Sequence, residues 1–286
     1  MREIDIMAAK TIVITGGTSG SGLAGALELA RQGHRIVLVA RDPARAESAL
    51  RQLRRANPGA EPALYLADLS RPDEAKRVGA AIAAAEPRVD VLVNNAGAFF
   101  DRRVEVEGFE KTFALDHLSY FVLTDALLPS LRAAAPSRVV STSSEGHRFA
   151  TLDFDDLQAR RGYKGWAAYC RAKLANVLFT RELARRLAGT GVTATCFHPG
   201  FVASRFGDDV GGPMRPLFGL AKSLFAVTTE KGADTLVFLA TSPEVEGRSG
   251  GYYSKRRLGK TSRAGQDDAA ARRLWALSAE MTGVGG

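Results

Sequence analysis

TIVITGGTSGSG, at residues 11–22, joins a short β-branched apolar run to a glycine-rich turn. The run predicts a buried strand, and an amphipathic pattern that predicts a helix follows the turn. Glycine permits positive φ and close backbone approach, and a helix N-terminus offers free N–H groups and a positive dipole end to a pyrophosphate. The strand before and the helix after the glycines favour a phosphate-binding turn over an ordinary loop.

The same alternation of strand and helix continues along the chain. Further apolar runs at 35–40, 63–67, 89–93, 138–142, 192–197 and 250–254 are separated by helical patterns, including one long helix over 109–134. Continuous apolar strands between amphipathic helices predict an α/β fold, a single doubly wound (Rossmann-type) parallel sheet with helices on both faces. We expect a disordered lead at 1–9, one domain over 10–286, and an irregular excursion at about 200–228 that covers the substrate.

Composition excludes several classes of protein. The 286 residues are 45% hydrophobic and 24% charged, which is typical of a globular chain. Two cysteines make no disulfide framework and have no metal-ligand spacing, so we expect no metal. The net charge of +8 is scattered without a nucleic-acid-binding motif, so we expect no nucleic-acid partner. No apolar run reaches the ~18–20 residues of a membrane span, and no secretory signal is present, which predicts a cytoplasmic protein.

Four motifs, in order along the chain, resemble those of the short-chain dehydrogenase/reductase family. The glycine turn has the spacing T-G-x-x-x-G-x-G rather than G-x-G-x-x-G, and Asn94-Asn95-Ala96-Gly97 follows the fourth strand. Tyr169-Cys170-Arg171-Ala172-Lys173 is the chain's only Y-x-x-x-K, and His198-Pro199-Gly200 follows the sixth strand. The segment around Tyr169 closely resembles the retinol dehydrogenase-like branch. This resemblance covers nearly the whole chain and implies an oxidoreductase that interconverts a carbonyl and an alcohol.

The end of the second strand bears on the choice of cofactor. Doubly wound NAD enzymes usually carry Asp or Glu there, which hydrogen-bonds the ribose, whereas this chain has Arg41. Arginine pairs with a 2′-phosphate, and the resemblance aligns Arg41 with the family's phosphate-binding position, so we expect NADP(H) to be preferred over NAD(H). Alternatively, Arg41 is only a surface residue, and Asp68 only caps a helix. The resemblance implies these further cofactor-binding residues: Gly16, Thr18, Ser19, Gly20, Gly22, Asp68, Leu69, Asn95, Ala96, Gly97, Tyr169, Lys173, Pro199, Gly200 and Val202.

Tyr169 and Lys173 stand four residues apart on a predicted helix and therefore share a face. A free tyrosine has a pKa of about 10, and a nearby ammonium lowers it by favouring the phenolate. Tyr169 would then donate a proton to a carbonyl oxygen or accept one from an alcohol. The resemblance implies a serine at the end of the fifth strand that hydrogen-bonds the substrate oxygen. The last of an S-S pair, Ser144, matches it, with Ser143 as the alternative.

Asp116 stands where many family members carry an asparagine that helps to position the lysine through water. An aspartate still accepts hydrogen bonds, but its negative charge opposes formation of the tyrosine phenolate. Either the relay is altered or the catalytic group is retuned, and the sequence leaves both alternatives open. We include Asp116 with Ser144, Tyr169 and Lys173 among the expected catalytic residues.

The expected substrate is a small, apolar carbonyl or alcohol, as in the branch that the chain resembles. Phe99 and Phe100, directly after the Asn-Asn-Ala-Gly motif, are expected to line its pocket, and the apolar segment 216–225 to cover it or to pack in the core. The family resemblance also implies a homodimer or homotetramer. The alternative from another class is a non-catalytic NADP(H)-binding regulator that senses redox state. An epimerase or dehydratase of nucleotide sugars would share Y-x-x-x-K but usually has a different glycine spacing.

Overall fold

Strands and helices alternate in the computed structural model, which describes residues 9–200 and 228–285. The strands are β1 (Thr11–Thr15), β2 (Arg35–Ala40), β3 (Ala63–Leu66), β4 (Val91–Asn94), β5 (Glu105–Val106), β6 (Phe109–Glu110), β7 (Ser137–Thr142), β8 (Val192–His198), β9 (Tyr252–Ser254) and β10 (Arg257–Gly259). The longer helices are α1 (Gly20–Arg31), α2 (Pro43–Ala56), α3 (Pro72–Ala85), α4 (Ser119–Ala133), α5 (Gly165–Arg186), α6 (Thr229–Thr241) and α7 (Asp268–Thr282). The expected lead, apart from Ala9, and the segment 216–225 lie outside the described residues, and the domain boundaries stay a prediction.

Eight strands form one sheet in the order β3-β2-β1-β4-β7-β8-β9-β10. Neighbouring strands are parallel from β3 to β9, so the predicted doubly wound parallel sheet is confirmed. The last strand, β10, pairs antiparallel with β9 and was not expected. Its hairpin turns through Lys255 and Arg256, both at positive φ, without the Asn-Gly that usually marks such a turn.

Both faces of the sheet are covered, which explains the continuous apolar strands. In β1, Val13 packs in a cluster with α3, α4 and α5, while Ile12 and Ile14 pack in a second cluster with α1, α2 and α6. All three side chains are fully buried. Successive side chains of a strand point to opposite faces, so a strand between two helical layers is apolar at every position.

The region predicted as one helix over 109–134 is more complex. It begins with the β5–β6 ribbon, continues in a short α-helical turn at Lys111–Phe113, and then forms a π-helical turn at Ala114–Leu118 before α4. The Glu110 carboxylate accepts hydrogen bonds from the backbone N–H groups of Thr112 and Phe113, each at 2.8 Å, and so caps the first turn. Single π-helical turns occur frequently at functional sites, and this one contains Asp116.

Candidate active site

The carboxyl ends of β1, β4 and β7 are tied together by polar side chains. The Thr15 hydroxyl oxygen accepts hydrogen bonds from the backbone N–H groups of Asn95 (2.8 Å) and Ala96 (2.9 Å). The Asn95 amide donates to the Thr15 carbonyl at 3.1 Å, and its oxygen accepts from the Thr142 hydroxyl at 3.3 Å. This polar clamp, formed by Thr15, Asn95 and Thr142, fixes the edge of the sheet at which the order of strands reverses, where ligands of open α/β sheets bind.

The glycine turn lies directly against this clamp. A Cβ on Gly16 would lie 2.8 Å from Cα of Ala96, and one on Gly22 would lie 2.5 Å from the Asn95 amide nitrogen. Gly16 and Gly20 also have positive φ, at 69° and 57°. Side chains at these positions would therefore push the turn away from the strand ends.

The first turn of α1 offers donors to an anion. Ser19 precedes this helix with extended backbone, and among the described residues no side chain caps it. The first N–H groups of a helix have no partner within the helix, and the dipole makes this end positive. Together with the close-packed glycines, these groups fit the pyrophosphate of a dinucleotide.

The end of β2 presents a basic side chain. Arg41 is exposed, and no carboxylate of the described residues forms an ion pair with it. The neighbouring Asp42 caps α2, because its carboxylate accepts from the backbone N–H of Arg45 at 3.0 Å. That hydrogen bond and the nearby positive charges hold the pKa of Asp42 below its ordinary value. The Asp42 carboxylate, which lies beside Arg41 in the sequence, thus serves as the N-cap of α2.

Asp68 and Leu69 end the third strand of the sequence pattern and have different surroundings. One Asp68 carboxylate oxygen accepts from the backbone N–H of Ser70 at 3.1 Å and from its hydroxyl at 2.8 Å. The Leu69 side chain is buried in the core. Asp68 therefore supports the turn before α3 but does not cap that helix, whose N-cap residue is Arg71; the alternative role as a helix cap was wrong.

Tyr169 and the two serines have distinct roles in the structure. The Ser144 hydroxyl lies beside the Tyr169 phenol, since a Cβ on Gly146 would meet both side chains at 3.5 Å. Its oxygen accepts from the backbone N–H of Gly146 at 3.1 Å. The Ser143 hydroxyl is buried and donates to the backbone carbonyl of Lys173 at 2.8 Å. Ser144, and not Ser143, therefore faces the phenol.

Lys173 and Asp116 form a buried ion pair. The Lys173 ammonium lies 2.8 Å from Asp116 Oδ2, and the two side chains are 3% and 0% exposed. The other carboxylate oxygen accepts from the backbone N–H of Ala98 at 2.9 Å. Burial raises the pKa of this carboxyl group, while the Lys173 ammonium and the Ala98 N–H act in the opposite direction and favour its ionised form. A Cβ on Gly97 would lie 3.1 Å from the Lys173 ammonium and from Asp116 Oδ2, so any larger residue at this position would crowd the ion pair.

The acidity of Tyr169 follows from these neighbours. Burial, and then the negative charge of Asp116, raise the pKa of the phenol above its ordinary value, while the neighbouring Ser144 hydroxyl acts in the opposite direction. The Lys173 ammonium lies 5.3 Å from the centre of the tyrosine ring. Its positive charge is balanced by Asp116, so the phenol stays protonated at neutral pH in this state of the protein.

Phe99 and Phe100 lie on different sides of the chain. Phe99 is buried and packs edge-on against Tyr169, with ring centres 6.4 Å apart. The Phe100 ring faces the Lys111 ammonium at 4.9 Å, and its carbonyl accepts from the Tyr163 hydroxyl at 2.9 Å. Of the two residues expected at the substrate, Phe99 is therefore the one beside the phenol.

The segment after β8 also lies at this edge. Pro199 and Gly200 follow the strand, and Gly200 has a positive φ of 86°. Burial lowers the pKa of His198, the last residue of β8, to about 4, so its ring is neutral at pH 7. Val202 lies outside the described residues.

Two residues of this site, one beside the Tyr169 phenol and one near Ser144, were not identified from the sequence. Trp166 stacks on Tyr169 with ring centres 5.8 Å apart and is 40% exposed. His147 is fully buried three residues after Ser144. The spacing of Trp166 and Tyr169, i and i+3 on one helix, was an available signal, whereas nothing local distinguishes His147 from a surface histidine.

Known proteins resemble the chain over most of its length. The family model of the short chain dehydrogenases matches residues 10–212. Human retinol dehydrogenase 14 is 42% identical over 295 residues, which cover 98% of this chain and 88% of that protein. A crystal structure of a protein from Mycobacterium paratuberculosis is 31% identical, with a TM-score of 0.77 and coverage of 96% and 94%. Pseudomonas aeruginosa RhlG, in an NADP active-site complex, is 26% identical, with a TM-score of 0.69 and coverage of 86% and 94%.

The chain belongs to the short-chain dehydrogenase/reductase family and is similar to its retinol dehydrogenase-like branch. The resemblance predicted from the four motifs is thereby confirmed. Members of this family are oxidoreductases that use a nicotinamide cofactor, and this chain acts on an alcohol or a carbonyl. Within residues 9–200 and 228–285, no helix combines the length and apolar character needed to cross a membrane.

The contrast between the two serines is testable. Ser144→Ala removes the hydroxyl that faces the phenol, and we expect kcat to fall by about 100-fold, as for the loss of one donor at a reacting oxygen. Ser143→Ala removes a buried hydrogen bond to the backbone of α5, and we expect a loss of stability of about 1 kcal/mol with a far smaller effect on kcat. Steady-state rates and thermal unfolding of both variants measure this, and equal losses of kcat would contradict the assignment.

Replacing Asp116 should move the pH profile of alcohol oxidation. Oxidation needs the phenolate, so a raised pKa of Tyr169 delays the rise of kcat/KM to alkaline pH. Asp116→Asn keeps the shape and an acceptor for Ala98 but removes the negative charge, so we expect the rise to begin about 1 pH unit lower. Profiles of both proteins, each with saturating cofactor, measure the shift. An unchanged profile, or a shift to higher pH, would show that the charge of Asp116 does not act on Tyr169.

Proposed function

We propose that this chain is an NADP(H)-dependent oxidoreductase that interconverts a carbonyl and an alcohol on a small apolar substrate, with Tyr169 as the acid and base. The observation that carries the proposal is the placement of the Ser144 hydroxyl beside the Tyr169 phenol and the buried Lys173, next to the glycine turn. A proton donor, a second hydroxyl and a cation thus lie together at the edge of the sheet where the family binds its cofactor.

Each side chain has a defined task in this proposal. Tyr169 donates its proton to a carbonyl oxygen during reduction and accepts one from an alcohol during oxidation. Ser144 holds the same substrate oxygen within reach of the phenol. A nicotinamide cofactor, when bound, supplies or accepts the hydride. Because burial and Asp116 keep the phenol protonated, the site is ready to donate a proton at neutral pH.

The residues around the glycine turn fit a dinucleotide. Gly16, Thr18, Ser19, Gly20 and Gly22 would hold the pyrophosphate with backbone N–H groups. A side chain at Gly97 would lie against the Lys173 ammonium, so the glycine leaves room there for a nicotinamide ribose. The remaining residues proposed to contact the cofactor are Asp68, Leu69, Asn95, Ala96, Tyr169, Pro199, Gly200 and Val202.

The preference for NADP(H) rests on the end of β2. Arg41 is exposed and free of carboxylate partners among the described residues, so its guanidinium is available to a 2′-phosphate. Asp42, the nearest acidic group, already caps α2 and would not bind ribose hydroxyls at the same time. RhlG, the neighbour solved in an NADP complex, supports this choice by analogy.

The apolar character of the substrate is supported by the surroundings of the site. The large exposed apolar side chains among the described residues are Leu66, Val104, Phe149, Trp166 and Leu258. Four of these five stand at or after the carboxyl end of a strand of the sheet, the same edge as Tyr169. Of these, Trp166 stacks directly on Tyr169 and so offers an apolar surface to a substrate beside the phenol.

The alternative, a non-catalytic regulator that binds NADP(H), is less well supported. Tyr169, Lys173 and Ser144 are all present, and the phenol and the serine hydroxyl are in contact. A protein that only sensed the cofactor would have no need of this contact. Asp116 replaces the family's asparagine and so suggested a loss of catalysis. In the structure it forms an ion pair with Lys173, which stays on the same side of the helix as Tyr169.

Cofactor titration and turnover test the proposal together. We expect NADPH to bind at least tenfold more tightly than NADH, and Arg41→Ala to remove most of that difference, because one charge-assisted contact is worth roughly 1.5–3 kcal/mol. NADPH should then be consumed with apolar aldehydes such as benzaldehyde, hexanal or decanal. Arg51→Ala removes an exposed arginine further along α2 and is the control for the change in net charge.

Three results would count against the proposal. Equal binding of NADH shows that Arg41 is not a phosphate contact. Binding of NADPH without turnover of any carbonyl favours the regulator. If Arg51→Ala reduces the preference for NADPH over NADH as much as Arg41→Ala does, the preference comes from the overall charge of the protein and not from Arg41 at the end of β2.

A further inference from the structure

We propose that His147 is a positioning residue that holds Ser144 in place by linking the serine's backbone to the C-terminal part of the chain. This inference rests on the proposed role of Ser144 in the function above. His147 lies outside the expected site, and its ring is completely buried. A buried imidazole with two polar atoms needs a partner for each of them.

Both ring nitrogens of His147 have partners, and together these fix the position of the proton. Nε2 lies 3.2 Å from the backbone nitrogen of Ser262, whose N–H can only donate. Nε2 is therefore the acceptor, so Nδ1 carries the proton and donates it to the Ser144 carbonyl at 2.6 Å. The neutral ring forms a bridge from the backbone of Ser262 to the backbone of Ser144.

The backbone held by this bridge directs the serine hydroxyl. Ser144 has extended backbone angles (φ −158°, ψ 157°) and precedes the short 3₁₀-helix Glu145–Phe149. Its hydroxyl oxygen accepts from the N–H of Gly146 in that helix, which leaves one hydrogen and one lone pair for Tyr169 and a substrate oxygen. A rotation of the Ser144 peptide would move the hydroxyl away from both.

The same turn has two further links to the end of the chain. The Tyr252 hydroxyl, in β9, donates to the Glu145 carboxylate at 2.7 Å. The Arg148 guanidinium donates to the backbone carbonyl of Lys260. The family model matches residues 10–212, so Tyr252, Lys260 and Ser262 all lie beyond it. The position of the proposed catalytic serine thus depends on a segment outside the matched region, and His147 is the link that reaches Ser144 itself.

A pair of amide substitutions separates the two nitrogens of His147. In His147→Asn, the side-chain amide nitrogen lies near the former Nδ1 and can still donate to Ser144. In His147→Gln, the amide lies near the former Nε2, and the Ser144 carbonyl loses its donor. We expect kcat to fall by about 100-fold in His147→Gln, since a misplacement of about 1 Å in a catalytic group has this effect. His147→Asn should keep kcat within about threefold, and both should keep the Kd for NADPH.

The control is His34→Asn, which alters another buried histidine that accepts a hydrogen bond from the backbone of Lys10, far along the sequence from the site. It should leave kcat unchanged. Equal losses in His147→Asn and His147→Gln, or losses that follow thermal stability or NADPH affinity, would overturn the inference. An inactive wild-type protein would instead count against the proposed function.

A spectroscopic measurement tests the bridge without turnover. In protein labelled with ¹⁵N-histidine, long-range ¹H–¹⁵N spectra distinguish the two neutral tautomers, and His147→Asn assigns the signal. We expect the Nδ1-protonated form to persist from pH 8 to pH 6. The Nε2-protonated form would refute the bridge between Ser262 and Ser144.

Discussion

A lysine ammonium and an aspartate carboxylate lie 2.8 Å apart in the interior of this protein, and the candidate site is built around them. Removing one partner of such a pair leaves an uncompensated buried charge, at a cost of roughly 3–5 kcal/mol. The pair therefore binds the π-helical turn that carries Asp116 to α5, which carries Lys173 and Tyr169. Asn176 strengthens this junction, because its side-chain amide donates to the backbone carbonyls of Asp116 at 2.8 Å and of Thr142 at 3.0 Å.

The same interaction sets the electrostatics of the phenol. With its charge balanced by Asp116, Lys173 does not create the strongly acidic tyrosine that the motif alone suggests, and burial raises the pKa of Tyr169. Proton donation to a carbonyl is thus the step that this arrangement of charges favours. The surroundings of the serine complete the arrangement, since Ser144 faces the phenol while Ser143 is committed to the backbone of α5.

Much of the fold and of the candidate site could be predicted from the sequence, and physical reasons explain both the successes and the failures. Strands buried on both faces are continuously apolar, so the sheet and its order of elements were evident, and the spacing of Tyr169 and Lys173 placed them on one face of a helix. The π-helical turn at Asp116 was not predicted, because four of its five residues are buried and no polar face marks the shift that an extra residue in the turn produces. The role of His147 depends on Ser262, 115 residues away, and such long-range contacts leave no local pattern.

The most direct test of the account is the fate of hydride and proton in Tyr169→Phe, which removes the phenol hydroxyl but keeps the ring that packs against Phe99 and Trp166. NADPH carrying deuterium at both C4 positions of the nicotinamide is supplied with an aldehyde that the wild-type protein reduces, and the alcohol is analysed by mass spectrometry. The account predicts one deuterium on the former carbonyl carbon with the wild-type protein. With Tyr169→Phe it predicts product formation slower by at least about 100-fold when NADPH is saturating. Turnover that survives in Tyr169→Phe, or an alcohol without deuterium, would contradict it.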